Sequence, residues 1–435
     1  MKRDAMDVEA ALYQFALYIE SHIGNRTSKG RFIRDVFGRI SFVAPKDITK
    51  DEQALLQTGD VGPAKFYVDE TQPFVFPESE FAADLLNEHG QAYQSVNGTQ
   101  FIVLDRRIAG EDWLQIPRAP VNNPPRFAFY GLKGGVGRST ALAIAAADLA
   151  SRGKNVLVVD LDLEAPGLGS ILLREDRLPE YGVLDYLANE AAGIDARSLV
   201  PDMVGGSSFT TGGGVVDVVP AAGTSTLRYP SGFFAKLSRA YTPGAARGRL
   251  VGMGFTEKIE LMLRDLSEHR PYDAVLIDVR AGLHETAAAS LLALGAYVFM
   301  FGVSSSQTIT DFRILLLAIR QSLLSWPSAP DIRGQFRMVQ GRAPSALGDH
   351  ALYRVDSWKL WLETLYDAVG DEPDAEAFSF DVDDPQGPHY PWVIQNAEAF
   401  LTFDPQRSDS HLDVAVYGAV FGTFLSNLYR MIDEA

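Results

Sequence analysis

Between residues 127 and 394 the chain alternates short, largely apolar runs with longer stretches of helical spacing. The apolar runs are 127–130, 156–160, 215–219, 274–278, 297–301, 336–339 and 392–394. Segments 254–269, 305–324 and 351–368, lying between them, place apolar residues three and four apart and read as amphipathic helices. Near-continuous apolar strands separated by helices predict an α/β fold: a mostly parallel sheet with helices on both faces. In such sheets ligands sit beyond the carboxyl ends of the strands. A last helix, about 411–432, carries Val414, Tyr417, Phe421, Leu425, Leu428 and Ile432 on one side, and its acidic ending suits packing on the sheet.

The first hundred residues follow a different pattern. Residues 5–23 put Val8, Leu12, Phe15, Ala16, Ile19 and Ile23 on one helical face. Short β-like runs follow at 39–43, 65–68 and 101–104, with a helix candidate at 79–87. This predicts a small α+β domain over residues 1–114, and no catalytic constellation stands out within it. Residues 115–125 hold most of a proline-rich stretch that disfavours helix and sheet interior alike, so they read as a linker. The α/β domain then occupies 126–435.

Composition narrows the chemistry. The 435 residues contain no cysteine, which excludes disulfides, iron–sulfur clusters and thiolate zinc sites. Seven scattered histidines offer no helical ligand pair. No apolar run is long enough to span a membrane, and the N-terminus lacks a signal-peptide pattern, so a cytoplasmic protein is expected. The net charge of −17 disfavours a general nucleic-acid binder.

The candidate chemistry begins at the end of the first α/β strand. There Leu132-Lys133-Gly134-Gly135-Val136-Gly137-Arg138-Ser139-Thr140 joins a buried strand to an alanine-rich helix. Glycines permit the main chain to wrap closely around an anion, and the helix adds the positive end of its dipole. Two further strand ends carry acid. The second strand closes on Asp160-Leu161-Asp162-Leu163-Glu164, and the fourth closes on Asp278-Val279-Arg280.

These motifs resemble the MinD/ParA group of ATPases, whose variant P-loop reads Lys-Gly-Gly-x-Gly-Lys-Ser/Thr; the match is to the Lys-Gly-Gly-Val-Gly-Arg branch. Two positions depart from the usual pattern. Leu132 replaces the first glycine of the general P-loop, and Arg138 replaces its phosphate lysine. Arginine keeps the charge but is a planar fork instead of a compact point charge. The resemblance implies ATP with Mg²⁺. It assigns phosphate contacts to Gly134, Gly135, Val136, Gly137, Arg138, Ser139 and Thr140. It places Ser139 on the metal, Asp278 as the Walker B carboxylate and Asp160 as support to the metal shell. Asp162 would orient the attacking water, with Lys133 and Arg138 neutralising charge. Lys133 would also cross to the partner in a nucleotide-sandwich homodimer. Gln340 is the first candidate for the base, with residues 391–396 as the second. Arg280 has two roles open to it: sensing the γ-phosphate, or holding its loop by a salt bridge.

Charge blocks bear on partners. No acid occurs between Asp217 and Glu257, where Arg228, Lys236, Arg239, Arg247 and Arg249 fall. Residues 371–435 instead concentrate acid. The reading that follows is a slow ATP-hydrolysing switch that recruits a protein partner through the N-terminal domain. The alternatives are a DNA-partition ATPase using the 228–249 patch and a non-hydrolysing scaffold, the latter raised by Arg138. A tyrosine-kinase use lacks the terminal tyrosine cluster it requires.

Overall fold

The computed structural model describes residues 6–107, 110–208, 212–244, 253–368, 377–406 and 412–434. The chain divides into two compact units, Met1–Leu114 with Gln321–Ser328, and Gln115–Arg320 with Ala329–Ala435.

In the first unit, α1 (Val8–Ile23) starts at Asp7, whose carboxylate accepts from the Ala10 amide at 2.7 Å. It buries Leu12, Phe15, Ala16 and Ile19 against a five-stranded sheet. The strands are β1 (Arg31–Arg34), β2 (Ile40–Val43), β3 (Phe74–Val75), β4 (Gln91–Gln94) and β5 (Gln100–Asp105), in the order β3-β2-β1-β5-β4. Helices α2 (Lys50–Thr58) and α3 (Ala82–Asn87) lie between strands in the sequence. The run 65–68, expected as a strand, is instead the end of a 3₁₀ turn, Gly62–Phe66, followed by a single bridge from Val68 to Ile40. Gly62-Pro63 supplies the reason: proline fixes φ at the start of the 3₁₀ turn, which takes up residues 65 and 66, and the Tyr67 and Val68 amides then donate back to the Ala64 carbonyl. Strands β1, β3 and β4 were not among the expected elements.

The second unit is the α/β body. Its eight strands are β6 (Arg126–Tyr130), β7 (Asn155–Leu161), β8 (Gly205–Gly206), β9 (Val215–Val219), β10 (Ala274–Val279), β11 (Tyr297–Gly302), β12 (Phe336–Ala343) and β13 (Trp392–Gln395). They run in the order β13-β12-β11-β6-β10-β7-β9-β8, and every neighbouring pair is parallel except β8 with β9. The helices are α4 (Arg138–Ser151), α5 (Leu168–Leu172), α6 (Val183–Ala191), α7 (Thr224–Arg228), α8 (Phe233–Tyr241), α9 (Phe255–His269), α10 (Glu285–Ala288), α11 (Ser306–Ser325), α12 (Leu347–Thr364) and α13 (Val414–Glu434). The fold is thus the expected mostly parallel sheet with helices, preceded by a small α+β region with a sheet of its own.

Central β6 is buried at all five positions, and alanine-rich α4 lets the helix axis approach the sheet closely. The last helix, α13, buries Phe421, Phe424, Leu425 and Leu428 in the same core. The Phe424 ring meets those of Phe129, Phe299, Phe301 and Trp392 at centroid separations of 5.3–6.0 Å. Such a side chain contributes roughly 1.5–3 kcal/mol by burial alone. The proline-rich stretch lies on this unit, because the Arg118 and Val121 amides donate to Leu292 and Gly295 carbonyls at 2.8 Å. Among the described residues no helix is long and apolar enough to cross a membrane.

Candidate functional site

Sheet register brings the motifs together. Asp278 on β10 is paired with Phe129 on β6 and with Asp160 on β7, so two carboxylates stand side by side where the strands end beside the glycine loop. The loop leaves β6 with Gly135 at φ 76° and Gly137 at φ 91°, a left-handed backbone that glycine adopts without penalty. A Cβ added at Gly134, Gly135 or Gly137 would meet nothing within 4 Å, so the loop is concave towards open space. Gly131 and Gly341 pack differently. At Gly341 a Cβ would lie 2.3 Å from the Val136 carbonyl oxygen, so β12 supports the loop through a backbone contact only glycine allows.

Ser139 at the start of α4 donates to Asp278 Oδ2 at 2.6 Å, while Asp278 Oδ1 is buried without a partner. Burial pushes the Asp278 carboxyl up, against the nearby Arg138 charge and the Ser139 hydrogen bond. Asp160, expected to support the metal shell from behind, is fully buried. Its Oδ1 accepts from the Asp162 amide at 3.0 Å, and its Oδ2 accepts from the Gly167 and Leu168 amides at 3.1 Å. Both oxygens therefore tie down the loop between β7 and α5, which leaves Asp160 as the anchor of the segment that carries Asp162. Burial first, then the Asp278 charge, pushes Asp160 above the ordinary carboxylate range.

Asp162 itself keeps one oxygen, Oδ1, without a partner. Its pKa is also raised by burial, with Arg138 and Arg280 opposing. Arg138 is 8% exposed and turned towards the strand ends. One Nη donates to the Val279 carbonyl at 2.6 Å, and the other lies 3.8 Å from Asp162 Oδ2. Lys133, by contrast, is exposed, with Nζ 3.8 Å from Asp311 on α11. Val136 is buried beneath the loop, and Thr140 is half-buried at its other side.

Thr140, Gly137 and Val136 share a small cavity with Arg342, Gln395 and Asn396. Gln340, the first candidate for base contact, does not line it. Its side chain is fully buried in β12 and donates to Ser304 Oγ at 2.7 Å. The polar groups facing the cavity come instead from the strand ends, Arg342 after β12's bulge (φ 49°) and the 391–396 run. Alternation along a strand decides this, since Gln340 and Arg342 share a face only in regular β geometry.

Another group at the strand ends was only partly foreseen. Glu164 Oε1 receives Arg280 Nη1 at 2.5 Å and the Tyr241 hydroxyl at 2.8 Å, with His284 Nε2 at 3.4 Å. Arg280 thus takes the salt-bridge option in this structure. The loop bearing Arg280 is tied to the glycine loop as well, through the Gly282 amide to Gly131 and Tyr130 to the Gly282 carbonyl, both 3.2 Å. On the far side of the Asp162 segment lies an apolar cavity of about 540 Å³, walled by Pro166, Leu173, Leu178, Pro220, Phe233 and Phe234.

The basic block looks different in space. Arg228 pairs with Glu180 at 3.2 Å, and Lys236 pairs with Asp185. Acid absent from that stretch of sequence is thus supplied by neighbouring elements. Arg247 and Arg249 lie outside the described residues, as do residues 371–376 of the acidic tail.

Solved structures with a similar chain path include the pNOB8 ParA bound to nonspecific DNA, at 17% identity over 71% of this chain and 98% of that one, TM-score 0.43. An ATP complex of Cyanothece McdA matches at 14% identity over 74% and 96%, TM-score 0.42. The Pyrococcus furiosus cell division ATPase MinD matches at 22% over 45% and 67%, TM-score 0.32. Residues 127–349, more than half of the chain, match the family described as the CobQ/CobB/MinD/ParA nucleotide binding domain. This chain, with its glycine loop and paired strand-end carboxylates, belongs to that family.

Proposed function

We propose that the protein is an ATP-binding and ATP-hydrolysing switch that works with Mg²⁺. The observation that carries the reading is the contact of Ser139 with Asp278 beneath an open glycine loop, with a partnerless carboxylate oxygen on both Asp278 and Asp162. Such oxygens are costly to bury unless something polar completes them.

The donors fit magnesium, which prefers one or two hard protein oxygens and takes the rest of its shell from phosphate and water. Ser139 and Asp278 would hold it. Among the described residues no group of three or more His, Asp or Glu is arranged to hold a metal by side chains alone. When bound, magnesium neutralises charge on the β- and γ-phosphates.

The protein's own groups would then divide the work. Amides of Gly134, Gly135, Val136 and Gly137, with the first turn of α4, cradle the phosphates. Thr140 contacts the α-phosphate, and Arg342, Gln395 and Asn396 take over the base contact first sought at Gln340. Asp162 accepts a hydrogen bond from water and aims it at the γ-phosphorus. Lys133, exposed and only loosely paired, is free to reach a second copy, which supports a nucleotide-dependent homodimer. Partner recruitment by the N-terminal unit completes the reading.

The orientation of Arg138 favours one competing reading, a nucleotide-binding scaffold without turnover. Its guanidinium braces the end of β10 through Val279 instead of lining the loop. Phosphate release, nucleotide affinity and mass in ADP and ATP, measured for wild type, Lys133→Ala and Asp162→Ala, separate the two. The switch reading expects Asp162→Ala to lose about a hundredfold or more in turnover, keep its affinity, and accumulate an ATP-bound dimer that Lys133→Ala does not form. Undiminished turnover in Asp162→Ala removes the water-orienting assignment.

A further inference from the structure

The Glu164 cluster lies two residues beyond Asp162, on the outer side of the segment that carries it. Its three partners come from two separate elements. Arg280 and His284 belong to the loop that follows β10, and Tyr241 is the last residue of α8. The Tyr241 end is itself held firmly. Lys258 on α9 is fully buried, and its ammonium donates to the Ala240 and Thr242 carbonyls at 2.7 and 2.8 Å, capping α8 where its dipole is negative. The Tyr241 ring packs edge-on against His284 and tilted against Phe255, with centroids 5.0 and 5.1 Å away.

The Asp162 segment is therefore pinned at two places. Asp160 holds its inner side through three backbone amides, and Glu164 holds its outer side through a shared carboxylate oxygen. We propose that Glu164 is the positioning residue of this site, with Tyr241 and Arg280 as its supports: it fixes the loop so that the free oxygen of Asp162 faces the reacting phosphate. Its chemistry suits the task. One carboxylate oxygen accepts a hydrogen bond from the Tyr241 phenol and pairs with the Arg280 guanidinium, with the His284 imidazole alongside at 3.4 Å, contacts that hold a short loop against thermal motion. The second oxygen of Glu164 and the Nδ1 of His284 are buried without partners, so the cluster still has polar capacity directed into the same region.

This inference rests on the reading of Asp162 as the water-orienting group. The test compares full-length wild type with Glu164→Ala, Glu164→Gln and Tyr241→Phe. Phosphate release is measured over ATP concentration, ADP binding with Mg²⁺ by calorimetry, and amide exchange over residues 162–168 without nucleotide. Glu164→Ala is expected to lower kcat about tenfold to a hundredfold, since small misplacements of a reacting group carry penalties of that order. ADP affinity should stay within about threefold of wild type, as in interactions made only on the way to the transition state. Glu164→Gln, which keeps an acceptor but no charge, should fall between, and Tyr241→Phe should lose least. Exchange over 162–168 should rise in the same order. A Glu164→Ala protein with wild-type kcat and unchanged exchange overturns the proposal, and so does an ADP affinity that falls in step with kcat. If wild type itself releases no phosphate, the hydrolytic reading fails separately and the exchange series decides. A graded rise then supports the positioning role, and a flat series overturns it.

Discussion

The two units treat buried charge in opposite ways. In the N-terminal unit Arg34 meets Asp105 through two parallel hydrogen bonds of 2.9 and 2.8 Å, and Glu9 and Arg107 complete the group. Arg34 and Asp105 side chains are 9% and 6% exposed, so this is a closed, self-satisfying pair. At the strand ends of the α/β unit, Asp162, Glu164, Asp278 and His284 each retain a buried polar atom without a partner. Among the described residues the N-terminal unit has two such atoms, on Glu20 and on Ser322 of its Gln321–Ser328 segment. A fold that needs only to stand up completes its buried polar groups. Other incomplete groups are scattered through the α/β unit, among them Gln335, Tyr353 and Trp361, but those of Asp162 and Asp278 stand beside the open glycine loop, where a ligand can finish them.

The sharpest way to break this contrast is a matched pair of substitutions. Asp278→Asn should abolish measurable turnover, by about a thousandfold, yet raise the melting temperature of the nucleotide-free protein, because it removes a buried, half-satisfied charge. Arg34→Ala should do the reverse, costing the N-terminal unit about 3 kcal/mol by leaving Asp105 buried and underpaired, as read by chemical denaturation. If both variants lose stability alike, the two units do not differ in how they hold buried charge. A smaller effect is expected at Gly341. Ala there drives a methyl group into the Val136 carbonyl, so ADP affinity should weaken about tenfold as the loop shifts, with a stability loss of about 1–3 kcal/mol.

The smallest effect concerns His389, which accepts from Tyr366 at Nδ1 and donates from Nε2 to the Val382 carbonyl. Burial lowers its pKa below the ordinary 6.5. A group with a depressed folded pKa that is charged when protonated stabilises the fold fully above 6.5, and that contribution is lost as pH falls below it. The melting temperature should drop by about 2–4 °C more between pH 7.5 and 5.5 in wild type than in His389→Gln. Equal slopes would show that this histidine, although closed off like Arg34, does not report on the α/β unit.

What could be read without coordinates follows the same division. All seven expected strands of the α/β body are present, because buried parallel strands carry unbroken apolar runs. β8 escaped notice because Gly205-Gly206 has no side chains to form a pattern. In the N-terminal sheet, β1 reads Arg-Phe-Ile-Arg, and its charged ends hid the fact that Arg34 is buried by pairing. The glycine loop and Asp278 were legible because local spacing places them. The loop-anchoring contacts of Asp160 were not legible, since nothing in an Asp-x-Asp tells which carboxylate turns back onto its own loop. Tyr241 had no local signal at all: its place beside Glu164 depends on Lys258, seventeen residues later, capping its helix.

The strand order carries a further consequence for how the protein is made. β6, which launches the glycine loop, hydrogen-bonds only to β10 and β11. Those neighbours are encoded roughly 150 residues downstream, so at about 5–20 residues per second β6 waits on the order of 10–30 s for its first partner. Throughout that interval a strand that is wholly buried in the folded protein, apolar after Arg126, stands unpaired, vulnerable to association with other nascent chains. Release of the chain before residue 274 would strand the phosphate loop without either flanking strand, whatever the state of the N-terminal unit.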